Sequence, residues 1–174
     1  IPGVNDVGPI VHGDDPILAD GVVHYLGQPV FAVIAADRRI ARRMAARAKE
    51  FVTIEPLPAL LTAREAHAAK AYVVPPMHLS RGDAQAALQA APHRFKDSLS
   101  IGGQEQFYLE GQISYAIPLE DQTMLVHCST QHPSEMQHAV AHALQRRAHQ
   151  VQVVCRRMGG GFGGKETQAK AFAA

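Results

Sequence analysis

A glycine-rich stretch at residues 157–166, RMGGGFGGKE, is the part of this chain whose composition points most directly to chemistry. Five glycines surround Phe162, and the stretch closes on Lys165 and Glu166. Inside a helix or strand each glycine would cost about 0.5–1 kcal/mol relative to alanine, so this run is typical of a loop that another group approaches closely. Phosphates, dinucleotides and other cofactors bind to loops of this kind.

Two nucleotide-binding patterns fit this loop only in part. Gly159, Gly161 and Gly164 have the spacing of the dinucleotide fingerprint, and Gly159 through Lys165 matches most of a P-loop. A P-loop needs Ser or Thr after its lysine to hold magnesium, whereas Glu166 stands here and would repel phosphates. The fingerprint needs an acidic residue about twenty positions later, and the sequence ends before that distance. A P-loop-like nucleotide-binding domain and a purely structural glycine turn stay open as alternatives.

The residues around the loop predict a strand–helix–strand arrangement that leads into it. Strands are predicted at residues 112–118, 123–129 and 151–156. Pro133 suits the first turn of a helix that continues over residues 134–147. The expected buried face of that helix carries Met136, Val140, Ala143 and Leu144. A further helix is predicted to begin near Glu166.

The first part of the chain predicts a second α/β arrangement. Strands are predicted at residues 22–26, 29–36 and 51–56. Gly27 and Gln28 have the composition of a tight turn, and Asp37 suits the cap of a helix over residues 38–50. The expected buried face of that helix carries Ile40, Met44, Ala48 and Phe51.

The middle of the chain is punctuated by prolines. A short helical pattern covers residues 63–70, and a domain boundary is predicted near Pro75. Asp83 is expected to cap a short helix over residues 84–91, because an aspartate in that position accepts hydrogen bonds from free N–H groups. Residues 93–101 predict another strand.

Composition excludes several classes of protein. The chain has 174 residues, of which 47% are hydrophobic, so it can form a core and is not predicted to be disordered. The net charge of +1 gives no electrostatic case for nucleic acid or a membrane as partner. The arginines at residues 38–47 are interpreted as a solvated helix face rather than an RNA-binding surface.

The two cysteines and the ends of the chain bear on the cellular compartment of the protein and on whether the sequence is a fragment. Cys128 and Cys155 form no CxxC pair, which is typical of a reducing cytoplasm. No apolar run approaches the roughly 20 residues of a membrane span, and the first residues do not resemble a signal peptide. Because the sequence lacks an initial methionine and stops inside a predicted helix, we expect it to be a fragment of a longer protein.

The ten histidines raise the alternative of a zinc site. His138 and His142 are spaced so that they share one face of the predicted helix, as zinc ligands can. The sequence between them contains no HExxH pattern, however, and exposed or capping histidines are the favoured interpretation.

A second stretch, GGQEQFYLE at residues 102–110, is informative together with the glycine loop. The two stretches, in this order and at this separation, closely resemble the large, molybdenum-binding subunit of xanthine dehydrogenases, in the xanthine oxidase family of molybdenum hydroxylases. The resemblance extends over essentially the whole chain. It implies a mixed α/β fold, with a hammerhead-like α/β domain over residues 1–75 and the N-terminal part of a molybdopterin-binding domain over residues 76–174.

The resemblance also implies roles for single residues. Gln104 matches a glutamine whose amide hydrogen-bonds an oxo ligand of molybdenum, and Phe162 and Gly163 match loop positions beside the metal. The resemblance implies that Gln104, Phe162 and Gly163 bind the cofactor. Gln104 and Phe162 would lie next to the molybdenum without being its direct ligands. Glu166 matches the catalytic glutamate of the substrate pocket, which hydrogen-bonds a purine. An apolar residue is frequent there in relatives that act on aldehydes.

The reaction implied by the resemblance is the hydroxylation of hypoxanthine and xanthine to urate, with oxygen taken from water. Electrons would pass from a molybdenum–molybdopterin cofactor to 2Fe-2S clusters, FAD and NAD carried by a partner subunit or domain. The parent enzyme would be a cytoplasmic dimer of heteromeric protomers. Aldehydes or other N-heterocycles stay open as substrates. The general base and the residues that grip the purine lie downstream in the family, so the chain alone is expected to be inactive.

Overall fold

The computed structural model describes residues 3–8 and 13–169. The chain divides into two compact units, one formed by Ile1–Ala45 with Gly103–Ala174 and the other by Ala46–Gly102. This division does not coincide with the domain boundary expected near Pro75, which stays a prediction. The elements are, in chain order, α1 (Arg38–Ala45), α2 (Ala63–Ala68), α3 (Ala84–Ala90), β1 (Ser114–Pro118), β2 (Met124–Cys128), α4 (Pro133–Ala143) and β3 (Val151–Val154). Short 3-10 helices occupy Ala48–Glu50, Glu120–Gln122 and Ala148–Gln150.

A three-stranded sheet forms the centre of the first unit, with strand order β1-β2-β3. β1 and β2 are antiparallel, and the N–H of Leu119 donates to the carbonyl of Thr123 at 2.9 Å in the turn between them. β2 and β3 are parallel, and such a pair requires a crossover connection, which α4 provides. The strand–helix–strand arrangement predicted before the glycine loop is therefore confirmed, and the fold class is mixed α/β.

The core of this unit lies between α4 and the sheet. Its most buried members are Val126, Met136, Val140 and Val151, each at most 2% exposed. Pro133 stands in the first turn of α4, and the Nδ1 atom of His132 accepts from the N–H of Glu135 at 3.1 Å. Ala169 is 1% exposed and belongs to the same cluster, so the segment after the glycine loop is anchored in the core.

The strands predicted in the first part of the chain are wrong. Residues 22–26 and 29–36 form no ladder with any described residue, and their apolar side chains are largely exposed, with Leu26 104% exposed. The turn between them does form, because the Oε1 atom of Gln28 accepts from the N–H of His24 at 2.7 Å. A run of apolar residues does not form a sheet when no neighbouring strand offers an edge to pair with.

The helix predicted after Asp37 is confirmed over α1, with Asp37 accepting from the N–H of Arg39 at 2.6 Å. It ends at Ala45 rather than residue 50, and none of its residues is buried. The predicted apolar face therefore does not pack as a core, since Ile40 is 44% and Phe51 63% exposed.

The unit Ala46–Gly102 consists of short capped helices joined by irregular segments. α2 begins with a capping box in which the Thr62 hydroxyl accepts from the N–H of Glu65 at 3.2 Å. α3 begins at the predicted cap, where Asp83 accepts from the N–H of Ala86 at 2.9 Å. The strands predicted at residues 51–56 and 93–101 do not form.

One expectation falls partly outside the described residues. The helix predicted to begin near Glu166 would run into residues 170–174, and residues 166–169 form bends and turns rather than a helix. Within the described ranges, none of the helices combines the length and the apolar character needed to cross a membrane.

Candidate functional site

The glycine loop leaves β3 and adopts a left-handed backbone at three positions. The φ angles are +95° at Gly160, +50° at Phe162 and +89° at Gly163. Glycine takes this conformation freely, whereas a phenylalanine does so at a cost. The Phe162 side chain is 77% exposed. A strained, exposed aromatic residue is therefore held at the tip of the loop.

Three glycines of the loop leave no room for a side chain. A methyl group at Gly159 would lie 2.6 Å from the Cβ of Glu110, and one at Gly164 would lie 2.6 Å from Cε1 of Tyr108. A methyl group at Gly161 would overlap the side-chain amide of Gln131. A methyl group at Gly163 would meet nothing described within 4 Å, so the open space lies at Gly163.

Lys165 ties the loop to the stretch that contains Glu110. Its side chain is 0% exposed, and Nζ lies 2.9 Å from Oε2 of Glu110 and 2.9 Å from Oγ of Ser129. Nζ also lies 4.8 Å from the ring centroid of Tyr108, a cation–π distance. The two stretches that carry the family resemblance are therefore in direct contact.

Glu110 is an acceptor for three donors at once. The Ser129 hydroxyl, the N–H of Gly159 and the Lys165 ammonium all donate to its Oε2 atom. The Ser129 bond, followed by the Gly159 and Lys165 bonds, lowers the pKa of Glu110 to about 2. The carboxylate is therefore ionised at neutral pH, as the pairing with a buried ammonium requires.

Gln131 holds the other side of the loop. Its Oε1 atom accepts from the N–H of Gly163 at 2.9 Å and from the N–H of Lys165 at 3.3 Å. Its own N–H donates to the Lys165 carbonyl at 2.8 Å. The N–H of Gly163 is therefore already engaged within the chain and does not face the open side of the loop as a free donor.

Three other N–H groups of the loop have no protein acceptor among residues 3–8 and 13–169, those of Gly160, Gly161 and Phe162. Successive N–H groups in a backbone of mixed handedness form a concave site for anions. Together with the open space at Gly163, these donors fit an anionic cofactor. The residues present are therefore compatible with a molybdenum–pterin group.

The predicted site residues differ in how the structure places them. Phe162, Gly163 and Glu166 lie on the glycine loop or directly after it, and all three are exposed. Gln104 is exposed, and no contact with the loop is found for it within the described part of the chain. From the same stretch it is Gln106 whose side chain reaches the loop, 3.2 Å from the position of a methyl group at Gly164.

Sequence reasoning missed the residues that hold the loop, namely Tyr108, Glu110, Gln112, Ser129, Gln131 and Lys165. Gln112 is representative, since its Nε2 atom donates to the carbonyl of Gly164 at 2.7 Å and to the Tyr108 hydroxyl at 2.9 Å. A signal existed for Glu110 and Lys165, because each stands in one of the two stretches that carry the family resemblance and the two have opposite charges. Gln131 carries no such signal.

The alternative sites are not supported by this geometry. The lysine that a P-loop would direct at phosphate is buried against Glu110 instead. Within the described ranges no group of three His, Cys, Asp or Glu side chains is arranged to hold a metal ion. His142 lies 3.8 Å from a carboxylate oxygen of Asp6.

Comparison with known proteins agrees with the geometry of the loop. The molybdopterin cofactor-binding domain family matches residues 64–174, which include the loop and every residue that holds it. The chain belongs to this family.

Members of the family with different names are similar to this chain. A xanthine dehydrogenase of Drosophila pseudoobscura pseudoobscura is 40% identical over 94% of the chain. Nicotinate hydroxylase hnxS of Emericella nidulans is 38% identical over 95%, and probable aldehyde oxidase 1 of Oryza sativa is 37% identical over 90%. The chain spans 12% of the length of each of these three relatives.

Proposed function

We propose that this chain is part of the molybdenum-binding subunit of a xanthine dehydrogenase, which hydroxylates hypoxanthine and xanthine to urate. One observation carries the proposal. The stretch GGQEQFYLE and the glycine loop contact each other through Glu110 and Lys165. Between these contacts, the N–H groups of residues 160–162 have no acceptor within the described part of the chain. That arrangement supports a bound anionic cofactor rather than a nucleotide, because the lysine is engaged.

The loop residues would hold and shape the cofactor site. Phe162 and Gly163 would lie beside the molybdenum, with Phe162 excluding water, while the N–H groups of Gly160 and Gly161 would donate to its anionic surroundings. Gln104 would donate from its amide to an oxo ligand, for which an amide is suited because it does not titrate at neutral pH. When bound, the molybdenum–pterin group would supply the two-electron oxidation that hydroxylation with water requires.

Glu166 would act on the substrate. It stands directly after Lys165, whose main chain is fixed to Gln131, and its side chain is exposed. A carboxylate in this position would hydrogen-bond a purine and stabilise positive or proton-bearing groups on the ring during the reaction. The position therefore favours a purine over an aldehyde, which has no ring nitrogens to bind.

The remaining parts of the proposal concern the parent enzyme. Residues 1–75 would belong to a hammerhead-like α/β domain and residues 76–174 to the first part of the molybdopterin-binding domain. Electrons would leave through 2Fe-2S clusters and FAD to NAD on a partner subunit or domain. The parent would be a cytoplasmic dimer of heteromeric protomers, and the chain alone would be inactive because the general base comes from elsewhere.

A second candidate is a hydroxylase of another N-heterocycle or of aldehydes. The nicotinate hydroxylase and the probable aldehyde oxidase are nearly as similar to this chain as the xanthine dehydrogenase is. Turnover of xanthine, nicotinate and an aromatic aldehyde by the same full-length preparation separates these possibilities, and a preference for xanthine supports the first.

The test of the proposal is the substitution Glu166→Ala in the full-length protein. We expect turnover of xanthine to fall by at least about a hundredfold, as for removal of a group that stabilises a transition state, while molybdenum content stays unchanged. Glu120→Ala, in the exposed turn before β2, is the matched control and should leave both unchanged. Unchanged purine turnover in Glu166→Ala would contradict the role of Glu166. Absence of molybdenum from wild-type protein made in molybdate-supplied cells would contradict the proposed function itself.

A further inference from the structure

We propose that Gln131 is the positioning residue that holds the ligand-facing part of the glycine loop in its strained conformation. The inference rests on the proposed function for the identity of the ligand, a molybdenum–pterin group. Its geometric part concerns residues of this chain alone and does not depend on that identity.

The position of Gln131 in the fold makes it suitable for this role. It follows the C-terminal end of β2 and stands directly before His132, the N-cap of α4. Its main chain is thereby fixed by the most buried strand and helix of the unit, Val126 and Met136 both being 0% exposed. A side chain that starts from rigid elements can fix a loop more accurately than one that starts from another loop.

Gln131 contacts the loop through both its main chain and its side chain. The Oε1 atom accepts from the N–H groups of Gly163 and Lys165, and the Gln131 N–H donates to the Lys165 carbonyl. The fit is close, since a methyl group at Gly161 would lie 2.9 Å from the Cδ atom of Gln131. The amide therefore spans the loop from Gly161 to Lys165.

A second attachment holds the opposite side of the loop. Glu110 accepts from the N–H of Gly159 at 2.9 Å and from the buried ammonium of Lys165. The loop is thus fixed at residues 159, 163 and 165, and the free N–H groups lie on residues 160–162 between these points. The two attachments together decide which donors face a ligand.

Strain at Phe162 indicates that these attachments are needed. Its φ of +50° is unfavourable for a phenylalanine, and its exposed side chain has little packing that could stabilise it. Strained residues persist only where the surrounding structure leaves them no alternative. Gln131 supplies this constraint at the next residue, Gly163, whose N–H it binds. Without Gln131 the loop would be free to relax at Phe162, and the N–H groups of residues 160–162 would change position.

The experiment compares Gln131→Met with Gln137→Met in the full-length protein. Gln137 is a matched control, because its Nε2 atom also donates to two carbonyls, those of Ala148 and Val151, at 3.0 and 2.7 Å, but no contact with the loop is found for it among the described residues. Three quantities are measured: hydrogen exchange of residues 159–165, the rate of molybdenum loss on dialysis, and kcat and KM for xanthine.

For Gln131→Met we expect exchange in residues 159–165 and molybdenum loss to accelerate by about tenfold, as for the loss of hydrogen bonds to a strained segment. We expect kcat to fall by about tenfold with KM unchanged, because the substrate carboxylate Glu166 is retained. Gln131→Glu keeps an oxygen acceptor at the same position and should restore loop exchange to within about threefold of wild type. Gln137→Met should lower the melting temperature without changing the loop or the molybdenum.

The outcomes separate this inference from the proposed function. Equal loop exchange in Gln131→Met and wild type would overturn the positioning role, whether or not the protein contains molybdenum. Molybdenum-free wild-type protein would overturn the proposed function, while the loop exchange would still decide the role of Gln131. If Gln131→Met does not fold, Gln131→Asn, whose shorter amide cannot reach Gly163, is measured in its place with the same expected results.

Discussion

The two compact units of this chain differ in how their residues are held. In the unit that contains Gly103–Ala174, the glycine loop is bound to residues far away in sequence, through a buried ammonium and a glutamine side chain. In the unit Ala46–Gly102 no residue is buried, and the hydrogen bonds of its helices join neighbours within a few positions. Local capping is sufficient to specify the short helices of the second unit. A site that must hold a ligand requires contacts between distant segments.

This difference predicts that similar substitutions have unequal effects in the two units. A residue that links distant segments contributes both its own interaction and the fixed position of its partner. A residue that caps an exposed helix contributes only its own interaction, which water can partly replace. Four tests follow; the first three compare a substitution with one of the same kind elsewhere, and the fourth compares the pH dependence of wild type with that of a variant.

The largest effect is expected for Glu110→Gln. Lys165 would remain buried without a carboxylate partner, which lowers the free energy of unfolding. Hydrogen exchange of the β2 and β3 amides in the full-length protein measures this loss. Glu65→Gln is the matched control, since Glu65 also accepts from a hydroxyl, that of Thr62, but is exposed. Glu65→Gln should lower the free energy of unfolding far less, because water can replace the interaction of an exposed carboxylate. Equal losses would show that the buried pair is no more important than the exposed one.

Met136→Ala is expected to have a similar or smaller effect. Met136 is 0% exposed and packs in the core cluster, so its truncation leaves a cavity and costs about 2–5 kcal/mol. Leu88→Ala removes an apolar side chain of α3 that is 58% exposed, and it should change stability by about 0.5 kcal/mol or less. The same exchange experiment, read in β2 and α3 respectively, checks both values. A large loss for Leu88→Ala would mean that the second unit has a core.

Thr62→Ala is expected to act only locally. The capping box at the start of α2 would lose one of its two reciprocal bonds, which costs about 1 kcal/mol. Faster exchange should appear in the amides of α2 and not in those of β2. Thr53→Ala is the control, an exposed threonine of the same unit that caps no helix. An effect that spreads to β2 would contradict the local character of this unit.

The smallest effect under ordinary conditions is that of pH. The pKa of Glu110 is about 2 in the folded chain and about 4.3 in an unfolded one, so between these values the unfolded chain binds more protons. Stability from this group is complete above about pH 5 and is lost as the pH falls towards 2. Below pH 4.5, the free energy of unfolding should therefore fall more steeply with decreasing pH in wild type than in the Glu110→Gln variant. No difference in slope between the two would exclude an ionised Glu110 as a stabilising group.

Sequence patterns predicted some elements well for identifiable reasons. The helix α4 combines a proline in its first turn with apolar residues at helical spacing, and both signals agree with its burial. The cap Asp83 acts on its own neighbours, so no distant partner was needed to predict the start of α3. The strands expected at residues 22–36 did not form, because an apolar run can belong to a strand but does not supply a neighbouring edge to pair with.

The residues of the candidate site differ in how far the sequence predicted their roles. The glycine loop was recognisable because so many glycines in a short stretch are typical of few structures other than a closely approached loop. The left-handed φ angles at Gly160 and Gly163 agree with that interpretation. The roles of Gln104 and Glu166 came from resemblance and stay predictions, since the geometry of the cofactor and substrate is not part of this chain. Gln131 escaped notice because a lone glutamine has no distinctive pattern until its partners are known.

By itself the sequence determined where helices begin, where the backbone must be free of side chains, and to which family the chain belongs. These properties depend on neighbouring residues or on a compact motif. Only the tertiary structure decided that Lys165 is buried rather than available to a phosphate. A lysine loses its water only where a carboxylate and a hydroxyl replace it, and here Glu110 and Ser129 are brought to it from two separate segments.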